Sequence, residues 1–344
     1  FKWVREMLSG VNVSSDDPTE RFELLTRLGK GSYASVYKAL DKTDGAITAL
    51  KVLEIDGEDC TALVKEIRIL EQCDSPFIVK YKGAFVNDNL LWIAMEYCGI
   101  GSICDLMTIC EKKFSEDEIA AVMKMTLHGL VYLHDRKKIH RDIKGGNILL
   151  NHEGDCKLAD FGVSAELQNT IAKSKTLIGT PYWMAPEVLQ SQEYDYNADI
   201  WSLGITAYEL AVGHPPHVDK HPMRAIFIIP NSDPPTLPDP DKYSKEFKSF
   251  LACCVEKDCK KRATAKTLLE THPFILKAKG KALLASMVDS VREEIDEFRE
   301  NQSSEEDSED EGEEEEGGGE GEQHRAYSSP QQQQQQQRRQ AGRQ

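Results

Sequence analysis

The sequence predicts an α+β protein in two parts: a small five-stranded antiparallel sheet that carries one main helix, followed by a larger helical part. Two observations predict this class. Between Phe22 and Tyr97, short runs rich in β-branched residues alternate with turns, which is typical of strands. After Gly101, long amphipathic segments with helix-start signals replace them.

Five runs in the first part predict the strands. They are FELLTRLG (22–29), SVYKAL (35–40), ITALKVL (47–53), IVKYKGAF (78–85) and LLWIAMEY (90–97). Between the third and fourth runs, Leu63, Ile67 and Leu70 recur at helical spacing with charged residues between them. We therefore expect one helix set into the sheet.

The second part begins with a capping box. Ser115 and Glu118 have the S-x-x-E spacing that starts a helix, and the helical pattern continues to Asp135. Further helices are predicted at 196–213, 244–257 and 264–274, with the proline-rich segment 231–241 as a loop. We expect a first lobe at 22–98 and a second lobe at 99–275.

Three flanking segments complete the chain. Residues 1–21 form an N-terminal extension, and residues 276–300 predict an amphipathic helix. That helix either packs on the globular domain or binds a partner. Residues 301–344 are acidic and glutamine-rich, and we expect them to be disordered because they have little apolar surface to bury. The apolar face of the helix comprises Leu284, Met287, Val288, Val291, Ile295 and Phe298.

Charge and cysteine usage exclude several classes of function. Residues 303–344 carry 12 acidic and four basic side chains, so half of the net charge of −16 lies there. Neither half offers the basic face that nucleic acid needs, and no apolar run reaches the ~18 residues of a membrane span. The nine cysteines include no C-x-x-C pair, which disfavours a zinc site. We expect reduced thiols and a cytoplasmic location, with the nucleus as a second one.

The glycine-rich stretch LGKGSYASVYKAL (28–40) raises the question of phosphate binding. Gly29 and Gly31 are followed by Ala34 where a third glycine would complete G-x-G-x-x-G. A dinucleotide-binding fingerprint requires a helix next, whereas here a strand follows. The glycines therefore belong to a hairpin whose backbone N–H groups can approach phosphates. Taken alone, the stretch is more typical of an ordinary glycine-rich turn than of a phosphate-binding one.

Several polar residues further on favour the phosphate interpretation. HRDIKGGN places Asp142, Lys144 and Asn147 within one loop, so a carboxylate, a cation and an amide oxygen lie within reach of one another. Asp160 follows another short apolar strand, and carboxylate and amide oxygens suit Mg²⁺. Lys51 on the third strand can meet phosphate oxygens.

Residues 22–275 resemble the eukaryotic protein kinases. HRDIKGGN with Lys144, together with GTPYWMAPEV (179–188), is similar to the serine/threonine branch and its sterile-20-like family. Within that family, MEYCGIGSICD and HPMRAIFIIP resemble the Hippo, or mammalian-sterile-20-like, group. Ala34 departs from the kinase pattern. The shared motifs are Gly29-x-Gly31-x-x-Ala34-x-Val36, Ala49-x-Lys51, Glu66, His140-Arg141-Asp142, Asn147, Asp160-Phe161-Gly162, Ala185-Pro186-Glu187, Asp199 and Arg262.

The resemblance implies a bilobal protein kinase fold and a serine/threonine kinase that uses ATP and Mg²⁺. The implied catalytic residues are Asp142, Lys144, Lys51 and Thr180, with Asn147 and Asp160 as Mg²⁺ ligands. Lys51 would be held by Glu66, the adenine would bind the backbone of Glu96 and Cys98, and Glu187 with Arg262 would form a structural ion pair. The implied nucleotide-binding residues are Leu28, Gly29, Lys30, Gly31, Ser32, Tyr33, Ala34, Val36, Ala49, Lys51, Glu66, Met95, Glu96, Cys98 and Leu150.

The resemblance also implies regulation and partners. Thr176 is the expected activation-loop phosphorylation site, with Ser174 as the alternative, and two copies of the chain would pair for trans-autophosphorylation. Protein substrates and scaffold or adaptor proteins of a Hippo-type cascade are the expected partners. The other hypothesis is an inactive kinase-fold scaffold whose acidic tail and C-terminal helix bind partners. The presence of Lys51, Asp142 and Asp160 favours the enzyme.

Overall fold

The computed structural model describes residues 11–31, 34–55, 61–160 and 181–313, without the side chains of residues 61, 62, 65, 66 and 302–313. A six-stranded sheet in the order β1-β5-β6-β4-β3-β2 forms the first part. The five predicted strands are present, and each is antiparallel to its neighbours among those five. The strands of this sheet are β1 (Val13–Ser14), β2 (Phe22–Lys30), β3 (Ala34–Asp41), β4 (Ile47–Glu54), β5 (Tyr81–Asn87) and β6 (Leu90–Glu96).

The sixth strand, β1, was not predicted. It lies in the N-terminal extension and pairs in parallel with β5, Val13 opposite Ala84 and Ser14 opposite Phe85. Two residues are too few to show the alternation that marks a strand in a sequence. The sheet therefore takes in part of the segment expected to precede it.

The helices of the described residues follow the predicted order, with additions. Helix α2 buries Leu63, Ile67 and Leu70 as expected, and α4 begins with the predicted capping box. Helices α1, α3, α5 and α7 were not predicted. The helices are α1 (Pro18–Arg21), α2 (Thr61–Glu71), α3 (Ile103–Thr108), α4 (Glu116–Asp135), α5 (Pro186–Leu189), α6 (Asn197–Val212), α7 (Pro222–Asn231), α8 (Lys245–Cys254), α9 (Ala265–Thr271), α10 (Pro273–Leu276) and α11 (Lys281–Glu313).

Helix α6 is the central element of the helical part. Twelve of its residues are buried, including the polar Asp199 and Glu209 near its two ends. A helix that is apolar on nearly all sides is buried in the core of its domain. Its two acidic side chains therefore lie where a carboxylate needs hydrogen-bond donors to offset the loss of water.

A second, three-stranded sheet positions the polar loop residues. Its strands are β7 (Gly101–Ser102), β8 (Ile148–Leu150) and β9 (Cys156–Leu158). β8 pairs with β9 in antiparallel register, Ile148 opposite Leu158. The amide of Ala159 donates to the carbonyl of Asn147 at 3.0 Å, so Asn147 and Asp160 come to the same end of this hairpin.

The C-terminal helix α11 packs on the globular domain. Five of the six residues of its predicted apolar face are buried, whereas Phe298 is 38 % exposed. Gly154, with φ of +80°, allows close approach, because a Cβ there would lie 2.5 Å from the backbone nitrogen of Ala285. Further along the helix, Arg299 donates to the carbonyl oxygen of Gly99.

The end of α11 differs from the expectation. Disorder was expected from residue 301, but the helix continues to Glu313. The composition argument considers only the burial of apolar surface. Glutamate is a good helix former, and extending a helix already nucleated on the domain adds one hydrogen bond per residue.

Among the described helices, none combines the length and the apolar character required to cross a bilayer.

Candidate active site

An ion pair joins β4 to the segment that follows β9. Lys51 Nζ lies 2.7 Å from Asp160 Oδ1. The Lys51 ammonium holds the pKa of the Asp160 carboxyl below its usual range, so this carboxyl is ionised at neutral pH. A cation and a candidate metal ligand, 109 residues apart in sequence, thus lie together between the two sheets.

The loop that precedes β8 gathers the three polar side chains predicted to lie together. Lys144 Nζ donates to Asp142 Oδ2 at 2.8 Å, and Asn147 Nδ2 donates to the same oxygen at 2.8 Å. Asn147 Nδ2 also donates to the Asp142 carbonyl at 2.8 Å. Both of these side-chain bonds reach Oδ2, and no bond from the described residues reaches Asp142 Oδ1.

Asp199, the first acidic residue of α6, fixes the start of this loop. Its Oδ2 accepts from the His140 amide at 2.9 Å and its Oδ1 accepts from the Arg141 amide at 2.8 Å. His134 Nε2 lies 2.9 Å from Oδ2. Arg141 has φ of +74°, a conformation that non-glycine residues seldom adopt, so these bonds stabilise an unusual backbone turn immediately before Asp142.

His140 supports the loop from its other side. The side chain is fully buried, and its Nε2 lies 3.1 Å from the carbonyl oxygen of Ala159, the residue before Asp160. Burial lowers the pKa of this imidazole, which favours the neutral ring. The loop and the Asp160 segment are therefore connected through a buried histidine.

Strand register places several predicted nucleotide-binding residues in rows. Gly29 is opposite Val36, and Val36 is opposite Lys51, so the three share one face of the sheet. Ala49 pairs with Met95 one row away on the same face. Leu28 and Ala34 are half-buried, whereas Gly29, Lys30 and Gly31 are exposed.

The segment between the two parts contains the predicted adenine-binding backbone. Glu96 binds through its side chain, with Oε1 3.0 Å from Lys157 Nζ and Oε2 accepting from the Lys80 amide at 3.2 Å. Cys98 is buried, which raises the pKa of its thiol to about 12. Leu150 is also buried, and its carbonyl accepts from the Ile100 amide at 3.1 Å.

The residues present fit a Mg²⁺ ion of the kind that also binds phosphates. Asn147 uses its Nδ2 for Asp142, so its Oδ1 is the atom that can serve a cation. Asp160 contributes an ionised carboxylate at the same end of the β8–β9 hairpin. One amide oxygen and one carboxylate match the preference of Mg²⁺ for a few protein oxygens completed by water and phosphate.

Some predicted site residues lie outside the described part of the chain. Ser32, Tyr33, Thr176 and Thr180 are among them, and the side chain of Glu66 is not described. Their predicted roles stay predictions.

The predicted ion pair between Glu187 and Arg262 is present. Arg262 Nη1 and Nη2 contact Glu187 Oε1 and Oε2 at 2.6 and 3.0 Å, and both side chains are buried. Arg262 also donates to the carbonyls of Asn197 and Glu256. A fully hydrogen-bonded pair of this geometry is structural.

The anchoring role of Asp199 was missed. The sequence shows it only as one residue of a motif, and its partners His140 and Arg141 lie 59 and 58 residues earlier, respectively. The available signal was an acidic residue in the first turn of an otherwise apolar helix.

Comparison with known proteins agrees with this geometry. Residues 22–275 match the protein kinase domain family. The chain is 52 % identical over 279 residues to Serine/threonine-protein kinase 4 homolog A of Dictyostelium discoideum, an alignment that covers 80 % of this chain and 60 % of that relative. The antiparallel sheet and the helical second part are those of the matched domain. The chain belongs to the protein kinase family.

Proposed function

We propose that the protein is a serine/threonine protein kinase that transfers the γ-phosphoryl group of ATP to protein serine and threonine hydroxyls. The observation that carries this proposal is the arrangement of Lys51 with Asp160 beside the Asp142, Lys144 and Asn147 cluster. Phosphoryl transfer requires positioning and neutralisation of charge, and these side chains supply both.

Each side chain has a role in that reaction. Lys51 binds phosphate oxygens of ATP, and Lys144 stabilises the γ-phosphate. Asp142 Oδ1 accepts the proton of the substrate hydroxyl while the hydroxyl oxygen forms a bond to the γ-phosphorus of ATP. The bond between the γ-phosphorus and the bridging oxygen breaks, and ADP leaves with its electrons. Asn147 and Asp160 would hold Mg²⁺, which neutralises charge on the phosphates.

The test is phosphoryl transfer from ATP in the presence of Mg²⁺ to a peptide array of serine and threonine acceptors. Asp142→Asn should lower kcat by about 10²- to 10⁴-fold, the usual contribution of a positioned base. Asp135→Asn is the matched control, since Asp135 is an exposed carboxylate at the end of α4. Absence of transfer by the wild-type chain would contradict the proposal and favour the scaffold hypothesis.

The resemblance supports a further proposal for activation. Phosphorylation of Thr176, by a second copy of the chain, would bring a phosphate to the basic group at Arg141. Arg141 is exposed and directly precedes Asp142, while its own amide is bonded to Asp199. Thr176→Ala should lower activity after incubation with ATP, whereas Ser174→Ala, at the alternative site, should leave it unchanged. Equal activity of the Thr176 variant and the wild type would contradict this step.

The relative's name supports a place in sterile-20-like signalling. Serine/threonine-protein kinase 4 homolog A shares about half of its aligned residues with this chain, while the chain spans about 60 % of that relative's length. We assign the substrates to downstream kinases or adaptors of a Hippo-type cascade, with homodimers and scaffold proteins as partners. Acceptor preference on the peptide array, followed by transfer to intact candidate kinases, tests this assignment.

A further inference from the structure

Helix α6 carries a second buried acidic residue that the proposed reaction does not use. Glu209 is 4 % exposed. Its Oε2 accepts from the indole Nε1 of Trp183 at 3.0 Å and from the backbone amide of Gly145 at 3.3 Å. One carboxylate oxygen thus contacts two segments that are distant in sequence.

Those two segments flank the candidate site. Gly145 follows Lys144 directly and opens the 3₁₀ turn Gly145–Asn147, which ends at a candidate metal ligand. Trp183 closes the 3₁₀ turn Pro181–Trp183, which begins directly after the predicted site residue Thr180. Glu209 therefore bonds the catalytic loop to the chain that leaves the predicted activation segment.

The environment of Glu209 is unfavourable for a charge. Burial raises the pKa of its carboxyl to about 7, although bonds from Trp183 and Gly145 and the charge of Lys144 act in the opposite direction. The thiol of Cys104 also faces it, and burial with the Glu209 charge raises the pKa of that thiol. A buried carboxyl contributes little to stability by itself, and groups with a strongly shifted pKa are common at functional sites.

The glycine at 145 fits the same contact. A Cβ at this position would lie 3.2 Å from Glu209 Oε2 and 3.5 Å from its carboxyl carbon. At Gly146, a Cβ would meet only Lys144 Cε, at 3.9 Å. The close approach of carboxyl and backbone is therefore specific to Gly145, and any side chain there would push the two apart.

We propose that Glu209 is a positioning residue for phosphoryl transfer. Acting as a double hydrogen-bond acceptor, it sets the catalytic loop against the Trp183 segment and thereby fixes Lys144 and Asp142 relative to the acceptor hydroxyl. Glu209 touches neither ATP nor the acceptor in this role. The inference rests on the proposed kinase activity and adds a residue to it.

The test compares Glu209→Ala with Glu209→Gln in steady-state transfer from ATP to one peptide. The alanine variant should lose roughly 10- to 100-fold in kcat, because displacing a positioned group by about 1 Å can cost 10²-fold. Its KM for ATP should change less than kcat and stay within about threefold of the wild type, since most of the predicted nucleotide-binding residues lie in the six-stranded sheet and not in the catalytic loop. The glutamine variant keeps a carbonyl acceptor and should retain most of kcat.

Two independent variants keep the proposal testable if Glu209→Ala does not fold. Trp183→Phe removes the indole donor and keeps an aromatic ring. As a single variant it should lower kcat, whereas in a chain that already carries Glu209→Ala it should cause little further loss of kcat. Gly145→Ala should lower kcat more than Gly146→Ala, its matched control.

Three outcomes would overturn the proposal: a folded Glu209→Ala with wild-type kcat, additive effects of the Trp183 and Glu209 variants, or equal losses in the two Glu209 variants. An inactive wild-type chain would instead refute the kinase activity itself. Thermal unfolding of every variant separates loss of fold from loss of positioning.

Discussion

The catalytic loop, residues 140–147, and the glycine-rich strand pair, residues 28–36, contribute to one candidate site but are built differently. In the loop, His140, Gly145 and Asn147 are buried, and three backbone amides bond to carboxylates of α6. In the strand pair, Gly29 and Gly31 are exposed, and the turn is closed by the Gly31 amide donating to the Ala34 carbonyl at 2.8 Å.

The difference follows from how each backbone satisfies its hydrogen bonds. In a strand pair, the backbone N–H and C=O groups of one strand bond to those of the other. Residues of the pair can therefore be small and exposed without leaving backbone groups unpaired. A buried loop has no such ladder and needs acceptors from elsewhere, here two acidic side chains of one helix. We therefore expect changes in α6 to impair chemistry and stability, and changes at the glycine strands to alter nucleotide affinity.

The largest effect is expected for Asp199→Ala. It removes the acceptor of two loop amides and leaves the buried N–H of His140 without its partner, which should lower the free energy of unfolding by about 3–5 kcal/mol. kcat should fall by roughly 100-fold or more as Asp142 loses its position. Chemical denaturation and steady-state transfer measure the two effects.

Glu193→Ala is the matched control for Asp199→Ala, because Glu193 is exposed just before α6. A stable and active Asp199 variant would show that the loop does not depend on α6.

The next effect concerns pH and Glu209. The pKa of its carboxyl is about 7 in the folded chain, above the ordinary value of 4.5. A raised pKa means that stability is complete below the unfolded pKa and is lost as pH rises through the folded one. The glutamine in Glu209→Gln does not titrate, so only the wild type loses this stability as the pH rises. The free energy of unfolding of the variant, minus that of the wild type, should therefore increase by about 3 kcal/mol between pH 4.5 and pH 8.

Urea denaturation of both proteins at several pH values measures this difference. If the difference in free energy of unfolding between the wild type and Glu209→Gln is the same at every pH in that range, the raised pKa of the Glu209 carboxyl is contradicted.

The smallest effect is expected at the glycine strands. Ala34→Gly supplies the third glycine of the common kinase pattern, at a position where Ala34 pairs with Leu53 in the sheet. A glycine in a strand costs about 0.5–1 kcal/mol of stability, and we expect the KM for ATP to change by less than about threefold. ATP titrations of this variant and of Ala46→Gly, placed in a turn away from the site, test it. A large loss of activity would mean that Ala34 has a specific role.

Local signals in the sequence predicted the elements well. Short runs rich in β-branched residues predicted the five longer strands, and Ser115 with Glu118 predicted the start of α4. Strand β1 was not predicted because two residues are too few to show a strand pattern. Helix α11 continues past residue 300 because helix extension does not require the burial of apolar side chains.

The site was predictable where its residues are close in sequence or belong to a recognised motif. The Asp142, Lys144 and Asn147 cluster lies within one loop, so spacing alone placed the three together. The roles of Asp199 and Glu209 depend on contacts with residues 26 to 64 positions earlier, and no local pattern encodes a long-range partner. What sequence shows of them is an acidic residue in an apolar helix.

The ion pair between Lys51 and Asp160 connects the two regions. Lys51 lies opposite Val36 of the glycine-rich strand pair, and Asp160 lies beside the catalytic loop. The most direct test of the account is transfer from γ-labelled ATP to a serine or threonine peptide by the wild type and by Lys51→Arg. Arginine keeps the charge but not the compact ammonium that meets phosphate oxygens. We predict labelled phosphoserine or phosphothreonine with the wild type, and less than roughly 1 % of that transfer with a Lys51→Arg variant whose Tm stays within about 4 °C. Wild-type transfer by a folded Lys51→Arg variant would contradict the account.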